Sequence, residues 1–417
     1  MRHPVTGFAP KPTDATVINI SETEQYTGTV VWYVPTGNGV LREIDVGDKF
    51  AAGIEYTAEI ILTHKRGYTF HGVEANFFTI DGIPAANIAN SGIVTATFLS
   101  MNLFASGDGT SSNPFIINTA EQLSNLRYFS DAHFKLGTSI DLQNIPWTPI
   151  PEFTGTLNGN DKIISNLRMT FTNGIHKTIN YRDCISYGLI VHNKGTIQNV
   201  QVTANIDLTN VPGNYSLPKN REIVVGAVAA INEGKIQNTK VSTSSGSFMI
   251  NSTIHVRAIT GGIAGYNDNN GSITSCTNNG TILSSGTTGG IMGCNIGDTS
   301  SCINNGTIRY TYTNHNSGIG GIAGESLMGF MLSGTNNGTI VYANTSSTSQ
   351  LIQPAMGHIA GSTYSACIPI NSFIFSSGTV NIGTLQTVGS HNQALYAGNR
   401  ALGRGYILTG NVIISIP

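Results

Sequence analysis

The sequence predicts an all-β protein in which a small β-sandwich is followed by a right-handed parallel β-helix. Three observations carry that expectation. Short apolar runs, each followed by a polar turn with Gly, begin at residues 187, 226, 261, 289, 320 and 357, so they step by 39, 35, 28, 31 and 37. Steps in that range mark stacked repeats whose single units are too small to bury an apolar face alone. The composition also starves helices: 49 of 417 residues are Gly, only 11 % are charged, and Asn, Ser and Thr fill the surface. These residues disfavour helix interiors and suit turns and strands. Finally, the first hundred residues alternate apolar and polar side chains in short segments bounded by turn signals.

Residues 1–102 are expected to form the sandwich module. Val30-Val31-Trp32-Tyr33-Val34 reads as a strand stopped by Pro35 and the Gly37-Asn38-Gly39 turn. In Tyr56–Thr63, the side chains of Tyr56, Ala58, Ile60 and Leu62 share one face, as in a half-buried strand. Gly67–Phe70, Asn76–Ile80 and Gly92–Phe98 supply further short strands. Several strands at such spacing without a helix imply a sandwich. Residues 103–114, rich in Gly, Ser and Asn, read as a linker. The β-helix is expected over 115–417, with a lead-in segment at 115–186, repeats at 187–367, and final coils and a cap at 368–417, the stretch Ala394–Arg404 and Pro417 closing the end. Thr119–Phe129 is among the few segments with helical potential.

The first hundred residues resemble a module repeated in bacterial surface proteins, notably those of spirochaetes. Tyr26-Thr27-Gly28-Thr29-Val30, Tyr56-Thr57-Ala58, Gly67-Tyr68-Thr69-Phe70 with Gly72-Val73, and Asn90-Ser91-Gly92 carry the likeness, which implies an Ig-like sandwich. The segments from Phe115-Ile116-Ile117 through Trp147-Thr148-Pro149-Ile150 to Phe153–Asn160 lead into Gly-Gly-Ile-Ala-Gly or similar runs at Gly261, Gly289 and Gly320. That order resembles bacterial β-helices carrying the GLUG motif. Members of that group include adhesins and non-catalytic portions of larger surface proteins, some IgA-cleaving metallopeptidases among them.

Physical reasoning reaches the same coil. Gly261–Tyr266, Ser272–Thr277 and Thr281–Ser284 read as three strands per repeat joined at Asn/Gly corners, where a left-handed backbone is tolerated. In Asn279-Gly280-Thr281-Ile282, the Ile points into the coil and the Thr out. Cys276 and Cys302 each precede the Gly of an Asn-Asn-Gly-Thr-Ile unit by four residues, so they occupy equivalent places in successive coils. Stacked inward thiols are favoured there over a bridge, because disulfide geometry wants Cβ atoms about 3.8 Å apart and stacked strands lie about 4.8 Å apart. The five cysteines, Cys184, Cys276, Cys294, Cys302 and Cys367, form no CxxC pair.

For function, the sequence excludes more than it assigns. A net charge of −2 without a Lys/Arg cluster gives no footprint for nucleic acid, and no apolar stretch has the length of a membrane span. No HExxH, G-x-S-x-G or Walker pattern occurs. Histidines such as His176, His192, His255, His315, His358 and His391 are dispersed and pair with no other ligand type, so neither a metal site nor a cofactor is expected. Asn267-Asp268-Asn269-Asn270-Gly271 and Asp108 offer oxygen ligands for calcium, but a solvated turn is the favoured reading of both. Glycoside hydrolysis needs two carboxylates facing one cleft. Among Asp161, Asp183, Asp207, Glu222, Glu233, Asp268, Asp298 and Glu325, the pair Asp268 and Asp298 comes nearest to equivalent positions in adjacent coils, although exposed corners explain both.

Tyr310, Tyr312 and Tyr342 are the candidate binding residues. If all three point outward they form a small platform for stacking on glycans; space-filling beneath a loop is the favoured reading. The resemblances imply a secreted or cell-surface bacterial protein without catalysis, an adhesin or stalk whose partner is an extracellular glycan or protein. The rival is a polysaccharide-active β-helix enzyme, a lyase or glycoside hydrolase. Two or more acidic side chains gathered with a Lys or Arg in one groove would favour that rival.

Overall fold

The computed structural model of the 417-residue chain describes residue 4 and residues 18–382, apart from 21–22, 37–39, 52, 81–82, 101–102, 180–181, 211–221, 245–247, 254–257, 311–316, 328–333, 343–354, 358–359 and 364–379. The chain divides into two compact units, 1–116 and 117–417. Cys367, Tyr312, the Gly37-Asn38-Gly39 turn and the C-terminal cap lie outside the described residues.

The first unit is built on an antiparallel sheet in the order Ile18–Asn19, Tyr26–Pro35, Glu55–His64, Ile93–Leu99, Ala86–Asn87, with Leu41–Glu43 pairing the second strand. Alternation works as expected: Tyr56, Ala58, Ile60 and Leu62 are all buried on one face. They meet Val30, Trp32, Val94, Ala96 and Phe98 on the same face, with Ile44, Phe50 and Ala85 packed over it. Trp32 meets Phe50 edge-on at 5.1 Å between ring centroids. What covers this face differs from expectation. Gly67–Phe70 forms turns, and Asn76–Ile80 contributes only Thr79–Ile80, paired with Ile83–Pro84. The second layer is therefore loops and a short hairpin, because Gly67, Gly72 and Asn76, all with a left-handed backbone, break the segment before a strand can run.

The second unit is a stack of parallel coils, an all-β solenoid of β-helix type. Thr119 accepts a hydrogen bond from the Gln122 backbone and opens a short helix, Ala120–Ser124, that continues as a 3-10 turn to Tyr128. Beyond it, each full coil contributes four or five short strands among the described residues. In one coil these are Ala258–Gly261, Ala264–Asn267, Ser272–Thr274, Thr277–Asn278 and Ile282–Ser284. Equivalent strands pair in parallel and generate four sheets. Sheet I runs through Arg182–Tyr187, Glu222–Gly226, Ala258–Gly261, Thr287–Gly289 and Gly318–Gly320. Sheet II runs through Ile150–Phe153, Ile190–Asn193, Ala229–Asn232, Ala264–Asn267, Met292–Asn295 and Ala323–Ser326. Sheet III holds His133–Leu136, Thr156–Asn158, Thr196–Gln198, Lys235–Gln237, Ser272–Thr274 and Asp298–Ser300. Sheet IV is continuous at Gln201–Asp207, then splits into two ribbons through Thr277–Asn278 and Ile282–Ser284.

The expected interior column is present. Ile206, Ile250, Ile282, Ile308 and Ile340 are in direct register and all are fully buried. A second column, Leu157–Ile197–Ile236–Ile273, lines the inside of sheet III. Burying each such side chain contributes about 1.5–3 kcal/mol. Cys276 and Cys302 are buried free thiols at equivalent positions, as expected. The Cys276 thiol lies against the carbonyls of Thr274 and Ile236, and burial pushes it well above the usual thiol range.

The apolar runs are not single strands, which corrects the three-strand coil. Gly261-Gly262-Ile263-Ala264-Gly265 ends a strand of sheet I at Gly261, bends at Gly262-Ile263 and begins a strand of sheet II at Ala264. The reason is steric: a Cβ on Gly261 would lie 1.9 Å from the Ala264 carbonyl oxygen, and one on Gly265 would lie 2.4 Å from Val224 Cγ1. The Asn-Gly corners hold a second surprise. Left-handed backbone occurs at Asn199, Asn238, Ser275 and Ser301, between sheets III and IV, whereas Asn279, Asn305 and Asn337 do not adopt it. The glycines at 306 and 338 serve close stacking instead, since their Cβ atoms would meet the carbonyl oxygen of the Gly one coil below at 2.0 and 1.9 Å.

Asn columns hold the corners from inside. Asn193, Asn232, Asn267 and Asn295 are fully buried, and each side-chain amide donates to the next oxygen at 2.7, 2.8 and 2.9 Å. Asn278, Asn304 and Asn336 repeat the device at 2.8 Å per step. Buried polar groups need partners, and within the columns they pair with their own equivalents; at the two ends of the first column, Asn193 Oδ1 and Asn295 Nδ2 are buried without one among the described residues.

Candidate functional site at the seam of sheets I and II

Sheet II is buried at every position in four successive strands, Ile190–Asn193, Ala229–Asn232, Ala264–Asn267 and Met292–Asn295. Such a pattern requires cover on both faces. One face looks into the coil; the other packs on sheet I, where Cys184, Val191, Val224, Ala230, Ile231, Tyr266, Cys294 and Ile296 form a second apolar cluster. One row of sheet II along this seam reads Glu152, His192, Ile231, Tyr266, Cys294, Glu325 in register.

At one end, His192 is almost fully buried, its side chain 4 % exposed. Its Nε2 lies 3.0 Å from Glu233 Oε2, off the line of a hydrogen bond, and its Nδ1 lies 3.7 Å from Glu152 Oε2. Lys194 Nζ stands 3.5 Å from the same Glu152 oxygen. Three successive coils supply these four residues. Burial holds the His192 imidazole below its usual range, against the Glu233 charge that pulls it up; Lys194 adds to the lowering and Glu152 to the rise. A buried imidazole beside two carboxylates has the residue types of acid–base chemistry, but neither contact has the geometry of a hydrogen bond.

Further along, Tyr266 Oη donates to Glu222 Oε2 at 2.8 Å, and Thr287 Oγ1 donates to Glu325 Oε1 at 3.2 Å. Burial raises the Glu325 carboxyl above its ordinary range, with the Glu222 charge adding to the rise. Among the described residues no group of three or more His, Cys, Asp or Glu side chains is arranged to hold a metal ion.

The residues singled out from sequence fare differently. Tyr310 is fully buried, so it cannot belong to an exposed platform. In Ile308–Tyr310, only Arg309 faces out, because Tyr310 shares strand parity with the core residue Ile308. Tyr342 pairs with Tyr310 in register; its side chain and all of Tyr312 lie outside the described residues. Asp268 and Asp298 do not occupy equivalent positions: Asp268 follows Asn267 at a corner and is 3 % exposed, while Asp298 begins a strand paired with Ser272. In the Asn267–Gly271 turn, the Asn267 amide belongs to the interior column and Asp268 Oδ1 accepts from the Asn269 backbone, so the turn's own groups use these side chains. His176 pairs with Asp183 at 2.6 Å across an exposed hairpin, and His192 has carboxylate neighbours, so neither is isolated. Sequence spacing could not pair Glu152 with Glu233, which sit at different places in their coils. A usable signal was present, however: His192 fills the slot before the column Asn that Ile231, Tyr266 and Cys294 fill elsewhere.

No family model matches the chain. Over 152 residues the chain is 32 % identical to a protein of Evansella cellulosilytica named as a candidate Gly-rich membrane protein; the match covers 34 % of this chain and only 16 % of that protein. A crystal structure of a candidate immunoglobulin A1 protease from Bacteroides ovatus aligns with a TM-score of 0.42 and 18 % identity, over 68 % of this chain and 78 % of that one.

Proposed function

We propose that this chain is part of a secreted or cell-surface bacterial protein that works by binding rather than catalysis, with the solenoid as a stiff adhesive face and the N-terminal Ig-like module as a spacer. On this reading the winding is right-handed, as parallel crossovers are, and the coils are of the GLUG kind. The observation that carries the reading is the outer face of sheet III. Two rows of hydrogen-bonding side chains stand in register there: Thr156–Thr196–Lys235–Ser272–Asp298 and Asn158–Gln198–Gln237–Thr274–Ser300. They repeat about every 4.8 Å, and an extended glycan or protein strand would meet many weak, equivalent contacts that add by multivalency. A glycan and matrix-protein array tests this. Binding should fall at least severalfold in the Gln198→Ala/Gln237→Ala double variant; binding that ignores the double variant would remove this face from the account.

One observation favours the rival enzyme: Glu152 and Glu233 gather around His192 with Lys194 beside them. Incubation with neutral and acidic polysaccharides separates the readings. The binding role expects no turnover. Turnover that Glu233→Gln abolishes would replace it with a polysaccharide-active enzyme.

A further inference from the structure

We propose that the outer corner of sheet IV is a site of spontaneous amide loss, restrained by a hydrogen-bond column and opening first at Asn279. Three identical pentapeptides, Asn-Asn-Gly-Thr-Ile, begin at residues 278, 304 and 336. Their second residues, Asn279, Asn305 and Asn337, are exposed and each precedes a Gly. An Asn before Gly is chemically labile because the Gly backbone nitrogen, unhindered by a side chain, reaches the Asn carboxamide carbon. That nitrogen loses its proton to solvent and bonds to Cγ, the bond from Cγ to the amide nitrogen breaks, and ammonia leaves. Water then opens the cyclic imide at either carbonyl, giving aspartate or isoaspartate. The balance is one amide and one water in, one acid and one ammonia out, so no co-reactant beyond water is needed.

The fold restrains each participant. The nucleophilic nitrogens are engaged: Gly280 donates to Asn278 Oδ1 at 2.9 Å, Gly306 to Asn304 Oδ1 at 3.2 Å, and Gly338 to Asn336 Oδ1 at 3.1 Å. The leaving amides are engaged as well, but unequally. Asn305 donates to Asn279 Oδ1 at 2.9 Å, and Asn337 donates to Asn305 Oδ1 at 2.9 Å. Asn279 starts the column. It accepts from above, while among the described residues its own amide nitrogen has no acceptor below, the preceding coil reaching it only through the Val241 carbonyl and the Asn279 backbone nitrogen. The pentapeptide is the same three times and each Gly nitrogen is held by the same kind of bond, slightly shorter at Gly280, so a faster Asn279 reports the column against that small bias. One more neutral hydrogen bond to open corresponds to about a fivefold difference in rate.

Peptide mapping by mass spectrometry after incubation at mildly alkaline pH provides the test. In the folded protein Asn279 should convert about fivefold faster than Asn305; in urea the three sites should converge and all react faster. The exposed Asn279→Ala substitution removes the acceptor for Asn305, which should then convert about fivefold faster, whereas Asn279→Asp keeps an acceptor and leaves Asn305 slow. Equal rates at the three folded sites, conversion of Asn305 or Asn337 ahead of Asn279, or an Asn305 rate untouched by Asn279→Ala would overturn the proposal.

Discussion

Glu325 occupies a slot that Tyr266 and Cys294 fill in the two preceding coils, and a carboxylate is costly there. Burial raises its pKa above the ordinary 4.5, with the Glu222 charge adding to the rise and the Thr287 hydroxyl only partly offsetting it. The sign of the linkage follows. Because the folded state holds this proton more tightly than the unfolded chain, the favourable contribution is complete below the unfolded pKa and is lost as pH rises through the folded one. Glu325→Gln should therefore raise the denaturation midpoint at neutral pH, and the gain should vanish below about pH 4. His192 acts in the opposite sense, since burial lowers its pKa from 6.5. Its contribution is present above 6.5 and lost as pH falls through the folded value, so His192→Gln should flatten the acid limb. Urea titrations of the two variants from about pH 3 to pH 8 check both signs. Slopes that match the parent protein would show that neither group is held in the seam as described.

At the scale of the element, the bend between sheets I and II depends on how closely two backbones approach. Gly265 faces Val224 and the Ala230 carbonyl, and an added Cβ would lie 2.4 and 2.8 Å from them. Overpacking of this kind costs about 1–3 kcal/mol, so Gly265→Ala should lower stability by that amount in chemical denaturation; an unchanged midpoint would mean the seam is looser than this packing. The same bend shows how far the sequence could be read. The period, the Ile column through Ile282 and the inward thiols were legible because strand alternation and register follow from residue order alone. The bend was not, since an apolar run flanked by Gly reads equally as one buried strand or as two strands meeting. Corner chemistry misled in a similar way: Asn-Gly suggests a left-handed turn, yet Gly306 and Gly338 answer to the coil below, a neighbour that sequence does not display. Tyr310 illustrates the parity rule, for its alternation with Tyr312 was visible but the inward face was set by Ile308. The His192 cluster draws on three coils and two positions within the coil, so only register brings it together.

For the molecule as a whole, the solenoid is a one-dimensional stack in which each coil touches its neighbours and stability accumulates along the axis. Columns of Ile, Asn and Gly are consequences of the same register, and so are the sheet III rows, the seam and the outer corner at Asn279. A one-residue slip would turn every inward side chain outward. The register between Leu283 and Arg309 is thus the quantity on which each functional proposal depends. Paired cysteines on the outer ribbon measure it directly. Leu283→Cys with Arg309→Cys places the two α-carbons about 4.8 Å apart. Because this pair faces outward, unlike the tightly packed Cys276 and Cys302, its side chains can tilt together to bridging distance. Leu283→Cys with Thr307→Cys instead offsets the α-carbons by two residues, to about 8 Å, beyond disulfide reach. Mild oxidation followed by peptide mapping should find the bridge in the first pair and not in the second. A bridge in the offset pair, or in neither, would contradict the stacked coil.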